Sequence, residues 1–103
     1  MIDLNEHATE AQEIARERFY KKNKGYKTMP ILKHAAGEVL EACEAYDDYF
    51  YNHTIDNREA FADELADIIT CVLIAAANEK INIEKALLKC QQKNAQRAAE
   101  GSK

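Results

Sequence analysis

Apolar residues recur every three to four positions in four stretches of the chain, with short polar breaks between them. That period places them on one face of a helix, and no stretch offers a strand signal. In the first stretch Leu4, Ala8, Ala11, Ile14, Ala15, Arg18 and Phe19 share a seam, predicting a helix over residues 4–22 that opens on a capping box of Asp3 and Glu6. Glu10, Glu13, Arg16 and Glu17 fall on its solvated face. Gly25 and Pro30 then interrupt the pattern in KKNKGYKTMP. A second helix is predicted over 29–51 behind a Thr28 cap, with Ile31, Leu32, Ala35, Val39, Leu40, Ala42, Cys43 and Tyr46 as its apolar positions. The third, over 57–78, repeats the capping box with Asp56 and Glu59 and packs through Phe61, Leu65, Ile68 and Val72. Asn82 caps the fourth, with Ile81 and Ala86 in staple positions, and the last residues, AAEGSK, fray.

Four helices with short connections make an all-α four-helix bundle. With 103 residues, residues 1–103 form a single domain, large enough for one core and small enough to gain from self-association. A net charge of −4 argues against a general nucleic-acid binder. The apolar run from Ile68 to Ala77 is too short to cross a bilayer, so no membrane partner is expected. Cys43, Cys71 and Cys90 are odd in number and widely spaced, which reads as reduced core thiols of a cytoplasmic protein. The polar start MIDLNEHATE does not resemble a targeting peptide.

Charge within the helices changes the picture further. Glu38 and Glu41 are spaced three apart in GEVLEACEA, as are Glu64 and Asp67 in FADELADIITCVL, so each pair projects from one helix face. Asp67 is followed at once by an almost wholly apolar run, which draws the second pair toward the interior. Carboxylates taken out of water need a positive counterpart, and four of them suit a hard divalent cation, Mg²⁺ or Mn²⁺. Solvated helix acids are the plainer reading of either pair alone. No Walker loop, C-x-x-C or nucleophile elbow competes, and no Glu-x-x-His pair supports a di-iron bundle.

Glu38-x-x-Glu41, then 22 residues, then Glu64-x-x-Asp67 resembles the E-x-x-E…E-x-x-D signature of the MazG-like all-α nucleoside triphosphate pyrophosphohydrolases. The likeness runs from about Leu32 to Arg97 and includes ELAD ahead of the apolar helix and the terminal KNAQR. It departs at Gly37, where the family's first motif usually has a further Glu. The resemblance implies a MazG-like bundle active as an oligomer, a homodimer or tetramer with sites between subunits. It also implies Mg²⁺-dependent conversion of an NTP or dNTP to the monophosphate and pyrophosphate. Glu38, Glu41, Glu64 and Asp67 would hold the metal, and Glu41 would activate the attacking water. The alternative is a helical nucleotide-binding or interaction module with weak or no catalysis.

Other residues have two readings each. His34, one turn before Glu38, can hold a ligand carboxylate or a phosphate, or be incidental. Asn78 can read a nucleobase edge or cap the third helix. Lys85, Lys89, Lys93 and Arg97 form a basic stripe that is solvated by default; through the resemblance of K-N-x-x-R, Lys93, Asn94 and Arg97 become phosphate contacts. Lys21, Lys22, Lys24 and Lys27 meet a triphosphate or solvate a loop, and Tyr20 and Tyr26 stack on a base or pack. Tyr46, Tyr49, Phe50 and Tyr51 close the second helix as core or as a subunit interface.

Overall fold

In a computed structural model that describes residues 2–19 and 26–101, with Phe19 by its backbone alone, the chain forms α1 (Leu4–Phe19), α2 (Thr28–Tyr51), α3 (Ile55–Asn78) and α4 (Ile83–Ala99). There is no strand among the described residues. The expected end of the first helix at Lys22, the basic residues Lys21, Lys22 and Lys24, and Tyr20 lie outside the described residues.

Asp3 caps α1 as expected: its Oδ1 accepts from the backbone N–H of Asn5 and Glu6 at 3.0 and 3.2 Å. Ala8, Ala11 and Ala15 are buried, and methyl-sized side chains at this period let α1 lie close against α3. The longer Ile14 remains exposed. Thr28 is the first residue of α2 and not its cap; Lys27 holds the cap position without a side-chain bond. The Thr28 hydroxyl instead donates to Glu79 Oε2, tying the start of α2 to the end of α3. Pro30 fits because the first turn of a helix needs no N–H from it.

The cap of α3 also differs from expectation. Thr54 takes the role assigned to Asp56, accepting from Asn57 N–H at 3.1 Å. Asn57 Nδ2 donates to the carbonyls of Asp48 and Asn52, which fixes the preceding turn around Thr54 and leaves Asp56 in the first helical turn, where its charge favours the dipole. Thr54→Ala should lower stability by about 1 kcal/mol, read as an earlier chemical-denaturation midpoint with an unchanged slope.

The short connection between α2 and α3 folds them into a hairpin, and α1 packs on α3. The core cluster comprises Ala11, Ala15, Ile31, Ala35, Cys71 and Ile74, with Tyr26 packed against it. Arg16 and Lys27 lie 5.5 and 5.6 Å from the Tyr26 ring centre, so that ring serves packing. Helix α4 meets α1 only near its own start. Asn5 Oδ1 accepts from Ile83 N–H at 3.0 Å, Asn5 Nδ2 donates to Asn82 Oδ1 at 2.9 Å, and Leu4 N–H donates to Glu84 Oε1. Asn82 caps α4 as expected, accepting from Lys85 N–H, but the helix buries no residue.

Two expectations about the core need correction. Cys71 is buried, whereas Cys43 and Cys90 are exposed: Cys43 points about 100° away from buried Ala42, and Cys90 rides on α4. The apolar run of α3 is not covered all round either. Leu73, Ile74 and Ala76 are buried while Leu65, Ile69 and Val72 remain exposed, because α1 and α2, the helices that pack most on α3, leave one side of it open. Leu32, Val39 and Leu40 on α2 are exposed as well. In the aromatic group, Tyr46 lies 5.3 Å from Phe61, while Phe50 and Tyr51 stand in solvent.

Candidate metal centre

Pairing of α2 with α3 brings the two acidic motifs together. One carboxylate oxygen from each of Glu38, Glu41 and Glu64 lies within 4.8 Å of the others. Glu41 stands at the exposed edge, and Glu38 and Glu64 are half-buried. Sequence position explains the depth of Glu64. It precedes the buried segment of α3, and one of its oxygens, Oε2, has lost contact with solvent without gaining a hydrogen-bond donor.

That environment pushes the Glu64 carboxyl up from 4.5 to about 7. Loss of hydration is the main cause; the contact with Glu38 follows, and then the charges of Glu41, Glu38 and Asp67. Two ionised carboxylates cannot bond to each other, so Oε2 is satisfied only by sharing a proton with Glu38 or by a cation. The same surroundings raise the Cys71 thiol, through burial first and then the charges of Glu38 and Asp67, leaving it protonated.

His34 takes the position expected of it. Its Nε2 lies 3.0 Å from Glu38 Oε1 across one helical turn, with Glu38 the more buried partner. Asp67 is exposed and stands outside the three-carboxylate group, yet it acts on Glu64 electrostatically and lines the same cleft as His34 and Glu38. An i, i+3 step rotates by about 300°, so Glu64 and Asp67 diverge by about 60° on α3.

Asn78 is placed differently from expectation. Its Oδ1 accepts from Gln12 Nε2 at 2.8 Å and its Nδ2 donates to the Tyr26 carbonyl at 2.7 Å. It lines a separate cavity with Asn5 and Arg16, while Glu79 caps the helix. The amide is therefore engaged as a clasp between α1, the α2 entrance and α3, and the expected capping role falls to Glu79 instead. Asn78→Ala should destabilise the fold by about 1–3 kcal/mol through the two partners left unpaired, measured by denaturant unfolding.

Lys93, Asn94 and Arg97 are exposed on α4, and within one chain the structure does not bring them to the carboxylates. Asn94 Nδ2 contacts Cys90 Sγ at 3.7 Å. The cleft beside Glu38 also includes residues that the motifs did not single out, His7, Glu10, Arg18 and Thr70. Their sequence signal is the interval between the buried alanines of α1, which turns His7 and Arg18 toward the flank of that seam.

Acids from two paired helices converge at a half-buried point, with His34 against Glu38 and one oxygen of Glu64 unpartnered, an arrangement that could hold a metal ion. The family model of the MazG nucleotide pyrophosphohydrolase domain matches residues 24–101, about three quarters of the chain, and the chain belongs to that family. Its members generally use divalent metals. Neither the comparison with curated proteins nor that with solved structures found a match.

Proposed function

We propose that the chain is an Mg²⁺-dependent hydrolase that converts a nucleoside triphosphate, ribo or deoxy, to the monophosphate and pyrophosphate. The observation that supports this most is the set of three carboxylate oxygens within 4.8 Å of one another, one side chain of which has an oxygen without solvent or donor. A small oxygen-seeking dication fits that donor set; Mn²⁺ would fit it as well. Glu38, Glu41 and Glu64 would hold the ion, with Asp67 completing the acidic wall. When bound, the ion supplies charge neutralisation for the phosphate oxygens as the phosphoanhydride bond breaks.

The protein groups divide the remaining work. His34 orients Glu38 through their 3.0 Å contact. Glu41, on the exposed edge, would accept the proton of the attacking water. Lys93, Asn94 and Arg97 hold the phosphate tail from α4 of a second copy, in a homodimer or tetramer. Leu40, Phe50, Tyr51 and Leu88 are each more than half exposed, and such a load of apolar surface favours self-association. No described helix is long and apolar enough to cross a membrane, and the net charge of −4 disfavours nucleic acid as a partner. A cytoplasmic location accords with both.

One feature favours a second reading, a module that binds nucleotide with weak or no turnover. Gly37 stands where the family motif usually has a Glu, and a Cβ there would meet nothing within 4 Å, so the position has room for the side chain it lacks. If the reading as a hydrolase holds, Gly37→Glu folds normally and changes turnover by less than about tenfold; a wild-type protein that turns over only after Gly37→Glu supports the binding module. Thermal melts test the metal site itself. The folded protein should gain several degrees with millimolar Mg²⁺ and lose them with chelator, and Glu38→Gln should show no gain. Equal melts in all three conditions would refute the metal centre.

A further inference from the structure

On the opposite flank of α1 from the carboxylates, the end of α3 and the start of α4 close around a cavity of about 550 Å³ that shares no residue with the cleft beside Glu38. Its wall includes two cations, Arg16 and Lys80, and no acid, in a chain where acids outnumber Lys and Arg by 18 to 14. The acids that flank the α3–α4 turn are engaged elsewhere: Glu79 Oε2 accepts from the Thr28 hydroxyl, and Glu84 Oε1 from Leu4 N–H. Neither cation has an ion pair among the described residues. The Tyr26 ring, 5.5 Å from the Arg16 guanidinium carbon, steadies that side chain. Lys80 follows the α3 cap with a φ of 55°, the left-handed region where glycine is the least strained choice. A lysine there puts a cation at the cavity in spite of the backbone strain. The polar groups of the wall also have capacity left. Gln12 bonds to Asn78, and Asn5 to Asn82, which leaves Gln12 Oε1 as an acceptor and Asn82 Nδ2 as a donor without a partner among the described residues. The Thr9 hydroxyl donates to the Asn5 carbonyl and keeps its lone pairs.

We propose that this cavity is a second ligand site, for a phosphorylated sugar, in which Arg16 and Lys80 take the phosphate and Gln12, Asn82 and Thr9 take the hydroxyls. A phosphate suits two cations with no acid between them. Hydroxyls both donate and accept, which matches the mixed capacity of the wall, whereas an apolar group would find only Ala8, Ala77 and Ile81. The volume exceeds what inorganic phosphate fills and lies in the range of small-molecule sites. Asn5 and Asn82 belong both to this wall and to the contact that joins α4, which buries no residue, to α1. An occupant therefore tightens the root of the helix that carries Lys93, Asn94 and Arg97. The site stands independently of the hydrolase reading, because it lies apart from the carboxylates and needs no metal.

The test is run in chelator, so that no metal at the carboxylates draws the phosphate. Nitrogen-resolved NMR spectra of the whole chain are titrated with ribose 5-phosphate, inorganic phosphate and ribose, on the wild type, Arg16→Gln, Lys80→Gly and, as a control on the α4 stripe, Lys89→Gln. Glycine suits the backbone at position 80 and Arg16 is exposed, so folding should survive both changes. Ribose 5-phosphate should shift the side-chain amides of Gln12 and Asn82 and bind at least about tenfold tighter than phosphate, with ribose alone not binding. Each cation variant should weaken ribose 5-phosphate at least about tenfold, and Lys89→Gln should leave it unchanged. Binding should also slow hydrogen exchange at Ile83 and Lys85, whose N–H groups Asn5 and Asn82 hold. Shifts centred on the α4 stripe, affinity kept in both cation variants, equal affinity for phosphate and ribose 5-phosphate, or no shift with any of the three would overturn the site and leave the metal reading standing. Unchanged exchange at Ile83 and Lys85 on binding would overturn its link to α4.

Discussion

Glu64→Gln should lower Mg²⁺-dependent hydrolysis by about 10³-fold and metal affinity by at least about 100-fold, while making the metal-free protein more stable above pH 7. Glu64 has the only solvent-shielded unpartnered oxygen recorded among the described residues, and its charge is opposed by Glu38, Glu41 and Asp67. An amide keeps the shape of the side chain, can donate to Glu38 and carries no charge. The sign of the pH effect follows from the raised carboxyl. Its folded-state value of about 7 exceeds the ordinary 4.5, so the folded protein holds the proton more tightly than the unfolded chain does. The stability this contributes is complete below pH 4.5 and is lost as pH rises through 7. Wild type without metal should therefore become less stable relative to Glu64→Gln between pH 5 and 8. Denaturation curves with chelator across that range, compared with curves in Mg²⁺, measure the effect. A variant that loses stability in parallel with the wild type would show that Glu64 is not under charge stress.

Affinity for Mg²⁺ should rise about tenfold for each pH unit below 7 and flatten above it, with about one proton released per ion in the sloping region. The cation competes with the proton on Glu64, whose titration near 7 sets the end of the slope. Calorimetry in buffers of different ionisation enthalpy counts the protons directly. Glu64→Gln should flatten the profile, because the group that exchanges its proton is gone. An affinity that is level from pH 5.5 to 8 would place the site's titration elsewhere.

The helices and the acidic hairpin were readable from local pattern, because both depend on spacing along one element. Glu38, Glu41 and Glu64 converge because two three-residue intervals fall on the facing sides of α2 and α3. The misplaced caps show the limit of that reading. Thr28 and Thr54 are two competent oxygens, yet one serves a tertiary partner, Glu79, and the other is selected by the contacts of Asn57 with the preceding turn. Asn78 shares the direction of Glu64 on a helical wheel but is a full three turns or more beyond it, and Gln12 and Tyr26 reach it first. Pattern within α3 cannot report what another helix brings. The cleft residues of α1 were hidden for the same reason: Glu10 reads as a solvated acid until α1 is laid along the hairpin. Ile69 and Val72 are exposed against the expectation of a covered α3, and in the proposed homodimer or tetramer a second copy would cover them.

The central claim, that Glu38, Glu41 and Glu64 form an Mg²⁺ site for cleavage of a nucleoside triphosphate, is tested most directly by product analysis. Pure protein is incubated with each ribo and deoxy nucleoside triphosphate, with Mg²⁺ and with chelator, beside Glu64→Gln. The account predicts monophosphate and pyrophosphate from at least one nucleotide, with Mg²⁺ only, and none from the variant. Inorganic phosphate with a diphosphate, product that persists in chelator, or product undiminished in Glu64→Gln would contradict it.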